Sequence, residues 1–246
     1  MWSTSIKGRE VITLNKELDI LAFGAHPDDV EIGMGATLAH YSEMGWKVGI
    51  CDLTRAELSS NGTLEIRESE AKKAADLLGV NTRLQLGFPD RGFFVHPSFI
   101  SQIVEIIRSY RPTHVFAPFS KDRHPDHVAC HYLVKEAVFN AGLAKFEVNN
   151  DLPPFRPKNI FYYLIHQIET PDLVMDVTNT FHKKKAALEA YQSQFLKKMG
   201  EVSTPLNNGY IERVESRDRL FGHQAGVTYG EGFFYEKPVL IKGLFE

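Results

Sequence analysis

Two short stretches of this 246-residue chain hold the residue types that hydrolytic chemistry needs. In Gly24-Ala25-His26-Pro27-Asp28-Asp29 an imidazole and two carboxylates stand close together, and in Asp122-Arg123-His124-Pro125-Asp126-His127 two imidazoles stand among carboxylates. His26 and Asp29 are spaced to bring a nitrogen and an oxygen onto one divalent ion from a turn that enters a helix, which leaves Asp28 free. Taken alone, Asp28 or Asp29 serves equally well as the N-cap of a helix starting near Val30, with Pro27 at its entrance. The second stretch breaks the tie. If Pro125 opens a helix carrying Val128 to Ala141, His124 and His127 stand near its N-terminus, one turn apart, where both reach one site. Two such clusters in one chain mark a metal or catalytic site.

Two imidazoles and a carboxylate with one open position describe a catalytic zinc rather than a structural one, which four protein ligands would close. Zinc lowers the pKa of a bound water towards about 7 and polarises a carbonyl oxygen. A nearby unligated carboxylate then acts as general base, the role that fits Asp28. An oxyanion needs a donor, which a protonated His124 supplies, with Asp126 as the candidate for orienting and charging it.

The elements that must position these residues alternate. Leu18 to Phe23 reads as a buried strand ending at Gly24, and Ile32 to Met44 as a helix stopped by Gly45. Val48 to Leu53 is a second strand, followed by a helix over Leu64 to Leu78 with Ile66, Ala74, Leu77 and Leu78 as its buried stripe and Gly79 as its stop. Arg83 to Leu86 is a strand, Pro97 to Tyr110 a helix with Ile100, Ile103, Val104 and Ile107 facing inward, and His114 to Ala117 the next strand. This pattern predicts an α/β fold with a mainly parallel sheet and helices on both faces. Ligands of such sheets sit beyond the carboxyl ends of the strands, so the residues after Phe23, Leu53, Leu86 and Ala117 should line one crevice. Further on, Ile160 to Ile165 and Leu173 to Val177 read as strands, Phe181 to Phe195 as a helix, and Val227 to Phe234 as loop or edge. A boundary near Asn150-Asp151-Leu152-Pro153-Pro154 is better explained as a proline-rich loop, so residues 1–246 are expected to form a single domain.

The net charge of −3 and the absence of any basic run longer than Lys183-Lys184-Lys185 argue against nucleic acid as a partner. No apolar run approaches the roughly 20 residues that span a bilayer, and no signal peptide is evident, so no membrane is expected and the location is expected to be cytoplasmic. The two cysteines, Cys51 and Cys130, fit a reducing compartment as small core residues. Gly33-x-Gly35 lies inside the first helix and is too short for a dinucleotide fingerprint. His40, His96, His114, His131, His166, His182 and His223 sit in no comparable cluster, His223 being singled out as an exception because it precedes the glycine-rich end.

Ala25-His26-Pro27-Asp28-Asp29 with His124-Pro125-Asp126-His127 resembles the LmbE-like (PIG-L) zinc deacetylase family. Asp52-Leu53-Thr54-Arg55-Ala56-Glu57, Gly62-Thr63 with Arg67, Glu70 and Ala71, and Gly226-Val227-x-Tyr229-x-Glu231-Gly232-Phe233 extend the resemblance towards the bacillithiol-biosynthesis deacetylase branch, with Ala56 where that branch usually has Gly. The resemblance implies a Rossmann-like fold and one Zn2+ per chain held by His26, Asp29 and His127. It implies Asp28 as general base and His124 as the group that stabilises the oxyanion and protonates the leaving amine. The implied substrate is a small N-acetylglucosaminyl (GlcNAc) conjugate, N-acetylglucosaminyl malate in that branch, deacetylated to glucosaminyl malate and acetate. Related enzymes act on N-acetylglucosaminyl inositol or chitobiose-like sugars, and members often form homo-oligomers. A malate moiety would present two carboxylates, for which Arg55, Arg67 and Arg123 are placed as grips, Arg67 being equally readable as an exposed helix charge. A metal-dependent phosphoesterase and a sugar-binding module without turnover are the competing readings; a binding module has no need of Asp28.

Overall fold

The computed structural model describes residues 17–148 and 152–240, so that Asn150 and Asp151 of the expected proline-rich loop lie outside the described residues. A seven-stranded sheet runs in the order β3-β2-β1-β4-β5-β7-β6, with β1 at Ile20–Gly24, β2 at Val48–Thr54, β3 at Thr82–Phe88, β4 at His114–Pro118, β5 at Asn159–Tyr163, β6 at Leu173–Asp176 and β7 at Gly230–Phe234. β1 to β5 pair in parallel, and β7 runs antiparallel between β5 and β6. Every residue of β1 and β2 is buried, the pattern of parallel strands covered on both faces. The expected mainly parallel α/β sheet is what forms.

Helices α1 (Asp29–Glu43), α2 (Leu64–Leu78) and α5 (Phe181–Ala190) cover one face, where Val30, Leu38, Ala74, Leu78 and Leu188 join a core with Ile20 and Ile50. Helices α3 (Pro97–Tyr110) and α4 (Pro125–Ala141) cover the other, where Ile103, Val104, Cys130 and Leu133 pack on Leu21, Phe23 and Val115. All four apolar positions expected to face inward on α3 are buried. Cys51 and Cys130 are both buried and unpaired.

Three expectations require correction. On α2, Ile66 and Leu77 are exposed, and the buried side is Arg67, Ala71, Ala74, Ala75 and Leu78. Small alanines let this helix lie close to its neighbours while one arginine is carried inward. The helix expected over Phe181 to Phe195 breaks at Tyr191 into α5 and a short α6 (Gln192–Phe195). Tyr191 donates its hydroxyl to Glu31 at 2.7 Å, and Ser193 donates its backbone N–H and hydroxyl to Glu70, which fixes the break. The glycine-rich stretch is not an edge but the interior strand β7. Its glycines are required by close approach, since a Cβ on Gly230 would collide with Val174 Cγ1.

Helix α7 (Tyr210–Ala225) is not anticipated from sequence. Its buried side mixes Ile211, Val214 and Phe221 with Arg217 and Asp218, which blurs the apolar period. Those charges matter to α1, which leaves helical geometry at Met34 (φ −149°, ψ 23°). Arg217 Nη2 donates to Ile32 O at 2.7 Å, and Glu231 accepts from Ala36 N and Thr37 N at 3.1 and 2.7 Å, so the groups freed by the kink are satisfied. Fully buried Lys184 closes the network, donating to Asp218 and Glu231 at 2.6 Å each. Replacing Lys184 with Met leaves two buried carboxylates short of a partner, and removal of one member of such a pair costs about 3–5 kcal/mol. Denaturant unfolding of Lys184→Met is expected to show a loss of that size, and an unchanged midpoint would contradict this account of the kink.

Candidate active site

The sheet changes direction of winding between β1 and β4, because the chain leaves β1 towards β2 on one side and reaches β4 from β3 across it. Ligands bind at such switch points, and both sequence clusters emerge there. Gly24 ends β1 and lets the backbone turn sharply, since a Cβ would sit 3.1 Å from Asp29 Cβ. Thr54 donates both its N–H and its hydroxyl to Ala25 O, tying the turn to the end of β2.

Asp28 is the residue before α1 and adopts φ 109°, left-handed backbone that a side chain ordinarily avoids. Its side chain makes no capping bond, so the capping reading does not hold for Asp28. It is instead gripped from α2: Arg67 Nη2 donates to Asp28 Oδ2 at 2.9 Å and to Pro27 O at 2.6 Å, and Nε donates to Pro27 O at 3.2 Å. Backbone strain of this kind persists where the surroundings over-determine it. Burial pushes the Asp28 carboxyl up to about 7, against the opposing pull of Arg67.

Asp29 sits between two imidazoles. Its Oδ2 lies 3.4 Å from His26 Nδ1 and accepts the His26 backbone N–H at 2.8 Å, while its Oδ1 lies 3.1 Å from His127 Nε2. Burial disfavours charge on His127, but Asp29 and Asp122 outweigh it and raise its pKa to about 9. Burial likewise opposes ionisation of Asp29, and His127 with His26 holds it well below the usual carboxylate range.

The far sides of these rings depart from expectation. Asp126 does not turn its carboxylate to His124. Its Oδ2 lies 3.4 Å from His26 Nε2, and Arg91 donates its backbone N–H to Oδ2 at 2.9 Å and Nη1 to Oδ1 at 2.5 Å. What Asp126 gives His124 is its backbone N–H, donated to Nδ1 at 3.3 Å as the ring caps α4. Nδ1 of His124 is thus an acceptor, and its one ring proton belongs on Nε2. Burial and the neighbouring imidazoles push the His124 pKa down, so the protonated ring expected from sequence is disfavoured. Asp90, unremarked in sequence, places Oδ1 3.4 Å from His26 Nε2. Asp122 places Oδ1 3.1 Å from His127 Nδ1 and accepts the backbone N–H groups of His124 and His166 at 2.8 and 3.0 Å.

This arrangement has relatives. The PIG-L family pattern, described as GlcNAc-PI de-N-acetylase, matches residues 21–138. The conserved protein TT1542 from Thermus thermophilus superposes with a TM-score of 0.84 at 38% identity, over 93% of this chain and 99% of that one. The chain belongs to the PIG-L (LmbE-like) family. Diacetylchitobiose deacetylase of Thermococcus kodakarensis is 28% identical over 90% of this chain and 84% of its own length. A probable N-acetyl-alpha-D-glucosaminyl L-malate deacetylase 2 of Bacillus anthracis is 25% identical over 84% of this chain and 94% of its own.

In this PIG-L chain the ligand set fits a divalent cation. His26, His124 and His127 each offer a ring nitrogen within 4.8 Å of the others, and Asp29 presents an oxygen to two of them. Nδ1 of His127 is buried without an aligned hydrogen bond, although Asp122 is close. His26, Asp29 and His127 could therefore hold the ion expected from sequence. Around them opens a cavity of about 370 Å³, lined also by Ser59, Asp90, Arg123, Gln194 and Leu206. The loops after β1, β2, β3 and β4 all reach it, as the strand-end rule requires.

The three arginines part company. Arg123 is exposed and lines the cavity. Arg67 also reaches it, but buried and occupied by Asp28 and Pro27, not as an exposed helix charge. Arg55 is half exposed, pairs with Glu68 at 3.6 Å and does not line the cavity. His166, not His223, is the additional histidine of the site: it lines the cavity and donates to or accepts from Tyr210 Oη at 2.6 Å, whereas His223 is exposed on α7. His166 follows the carboxyl end of β5, a strand-end position not used in the sequence reading, whereas Gln194 lies in the short α6 and carries no strand-end signal.

Arg67→Met leaves Asp28 buried without its cation, so its pKa moves further above about 7. A carboxyl raised in the folded state loses stability as pH rises. Metal-free Arg67→Met is therefore expected to be destabilised most above neutrality, by about 3–5 kcal/mol, and least in mild acid. Equal loss at all pH values in urea titrations would contradict the pairing.

Proposed function

We propose that this N-deacetylase hydrolyses the acetamido group of a small GlcNAc conjugate, N-acetylglucosaminyl malate in the first instance, releasing acetate and the free amine. The observation that carries the reading is a buried carboxylate, Asp28, held unligated beside His26, Asp29 and His127. A binding site would gain nothing from a strained, poorly solvated acid there, whereas hydrolysis needs a proton acceptor whose pKa lies near the working pH.

In this proposal His26, Asp29 and His127 would hold Zn2+, which would supply Lewis acidity, lowering the pKa of a water and polarising the acetyl carbonyl. Asp28 takes a proton as the water oxygen forms its bond to the carbonyl carbon. The carbonyl oxygen gains charge and accepts from Nε2–H of His124, the ring whose Nδ1 is occupied by Asp126 N–H. The C–N bond then breaks, and the proton held by Asp28 passes to the departing nitrogen. This differs from the role implied by resemblance, in which His124 protonates the amine: in this scheme the single ring proton stays on Nε2, hydrogen-bonded to the oxygen, and Asp28 returns the proton it took from the water. Arg67 keeps Asp28 in place throughout.

For the aglycone, exposed Arg123 at the cavity supports an anionic group, and the Bacillus anthracis relative supports malate and a part in bacillithiol biosynthesis. The higher identity to the Thermococcus enzyme favours a chito-oligosaccharide as the second reading. One catalytic unit per chain is proposed, because the loops that build the cavity leave one sheet, and a homo-oligomeric state is retained as part of the proposal. Two unpaired buried cysteines support a cytoplasmic location; among the described residues no helix is long and apolar enough to cross a membrane.

Amine release is the test. Zinc-loaded protein is expected to prefer N-acetylglucosaminyl malate over N-acetylglucosamine and diacetylchitobiose, with the preference reduced in Arg123→Ala. Asp28→Asn is expected to keep stoichiometric zinc and lose turnover on every substrate. Preference for diacetylchitobiose would move the aglycone to the second reading, and full turnover by Asp28→Asn would sink the mechanism.

A further inference from the structure

The two imidazoles beside Asp29 are turned in opposite senses. His26 presents Nδ1 to Asp29 and Nε2 to Asp90 Oδ1 and Asp126 Oδ2, both at 3.4 Å. His127 presents Nε2 to Asp29 and Nδ1 to Asp122 Oδ1 at 3.1 Å. A neutral imidazole carries one proton, and the nitrogen facing a carboxylate outside the ligand set is the one that keeps it. We infer that Asp90 and Asp122 are positioning residues that fix opposite tautomers, so that His26 engages a metal through Nδ1 and His127 through Nε2. This rests on the metal-holding roles proposed above.

Asp122 is built for the task. Its carboxylate is held by the backbone N–H groups of His124 and His166, which come from different connections of the sheet. It therefore cannot swing away without releasing both. Nδ1 of His127 is buried and makes no aligned hydrogen bond among the described residues, and Asp122 Oδ1, 3.1 Å away, is the carboxylate that faces a proton there. Asp90 is fixed in a comparable way, since Oδ2 accepts Leu58 N–H at 3.0 Å and its own N–H donates to Glu57 at 2.6 Å. The loops after β2 and β3 are thereby laced together and aim Oδ1 at His26. Asp126 shares the face of His26 but is already engaged twice by Arg91, which leaves Asp90 as the carboxylate there with no cationic side chain of its own among the described residues.

Long-range proton–nitrogen NMR of the zinc-loaded, nitrogen-15-labelled protein reads the tautomers directly. The expected result is His127 protonated at Nδ1 and His26 at Nε2; the same tautomer in both rings would overturn the inference. Chelator competition supplies the second readout. Asp122→Asn is expected to weaken zinc binding by about 10–100-fold, Asp90→Asn less because Asp126 remains, and affinities equal to that of the parent in both variants would overturn it. A parent protein that takes up no zinc would instead overturn the ligand assignment, and this inference with it.

Discussion

Asp29 wedged between His26 and His127 is the contact on which the rest of the site depends. One carboxylate at the start of α1 bridges two imidazoles that arrive from the ends of β1 and β4. The two loops can meet because those strands are neighbours at the switch point of the sheet. Everything around this contact serves to keep negative charge buried at tolerable cost. Asp28 is answered by Arg67, Asp126 by Arg91 and His26, and Asp122 by two backbone N–H groups and His127. Buried carboxylates without such partners are too costly to persist.

The same logic reaches deeper into the molecule. Glu31, close beyond Asp28 on α1, is buried and accepts from Arg83 Nη1 at 2.6 Å and from Tyr191 at 2.7 Å, and Arg83 also holds Asp52 at 2.8 Å. Arg217, Lys184 and Glu231 then stitch the kink at Met34. The start of α1, which follows the strained Asp28, is thus braced from α2, β3, α5, α7 and β7 together. Binding energy is not what holds Asp28 in its left-handed backbone; the folded protein does so before any ligand arrives.

Much of this is legible in sequence because parallel α/β folds write their elements in simple periods. Strands of unbroken apolar residues, helices with inward stripes and the rule that chemistry gathers at strand ends are enough to bring residues 24–29 and 122–127 together. What escapes reading is polar and long-range. Arg67 reads equally as a substrate grip or a surface charge because no period marks a buried arginine, yet its partner Asp28 lies 39 positions away. Asp90 and His166 stand in no motif although each follows a strand end, Asp122 has no assigned role at the head of its cluster, and the fold turns all three towards the site. Asp126 reads as the partner of His124 because the two are close in the chain, whereas its position at the start of α4 points its carboxylate across to His26. Helix α7 and strand β7 are obscured by buried charges and by glycines that serve close packing.

In the proposed function, one ion at Asp29 and the two imidazoles makes Asp28 productive. Titrating zinc into chelated protein while following acetate release from N-acetylglucosaminyl malate tests this directly. Activity is expected to rise from zero in proportion to zinc and level off at one equivalent per chain. Full activity in the presence of excess chelator, or a rise that begins only beyond the first equivalent, would contradict it.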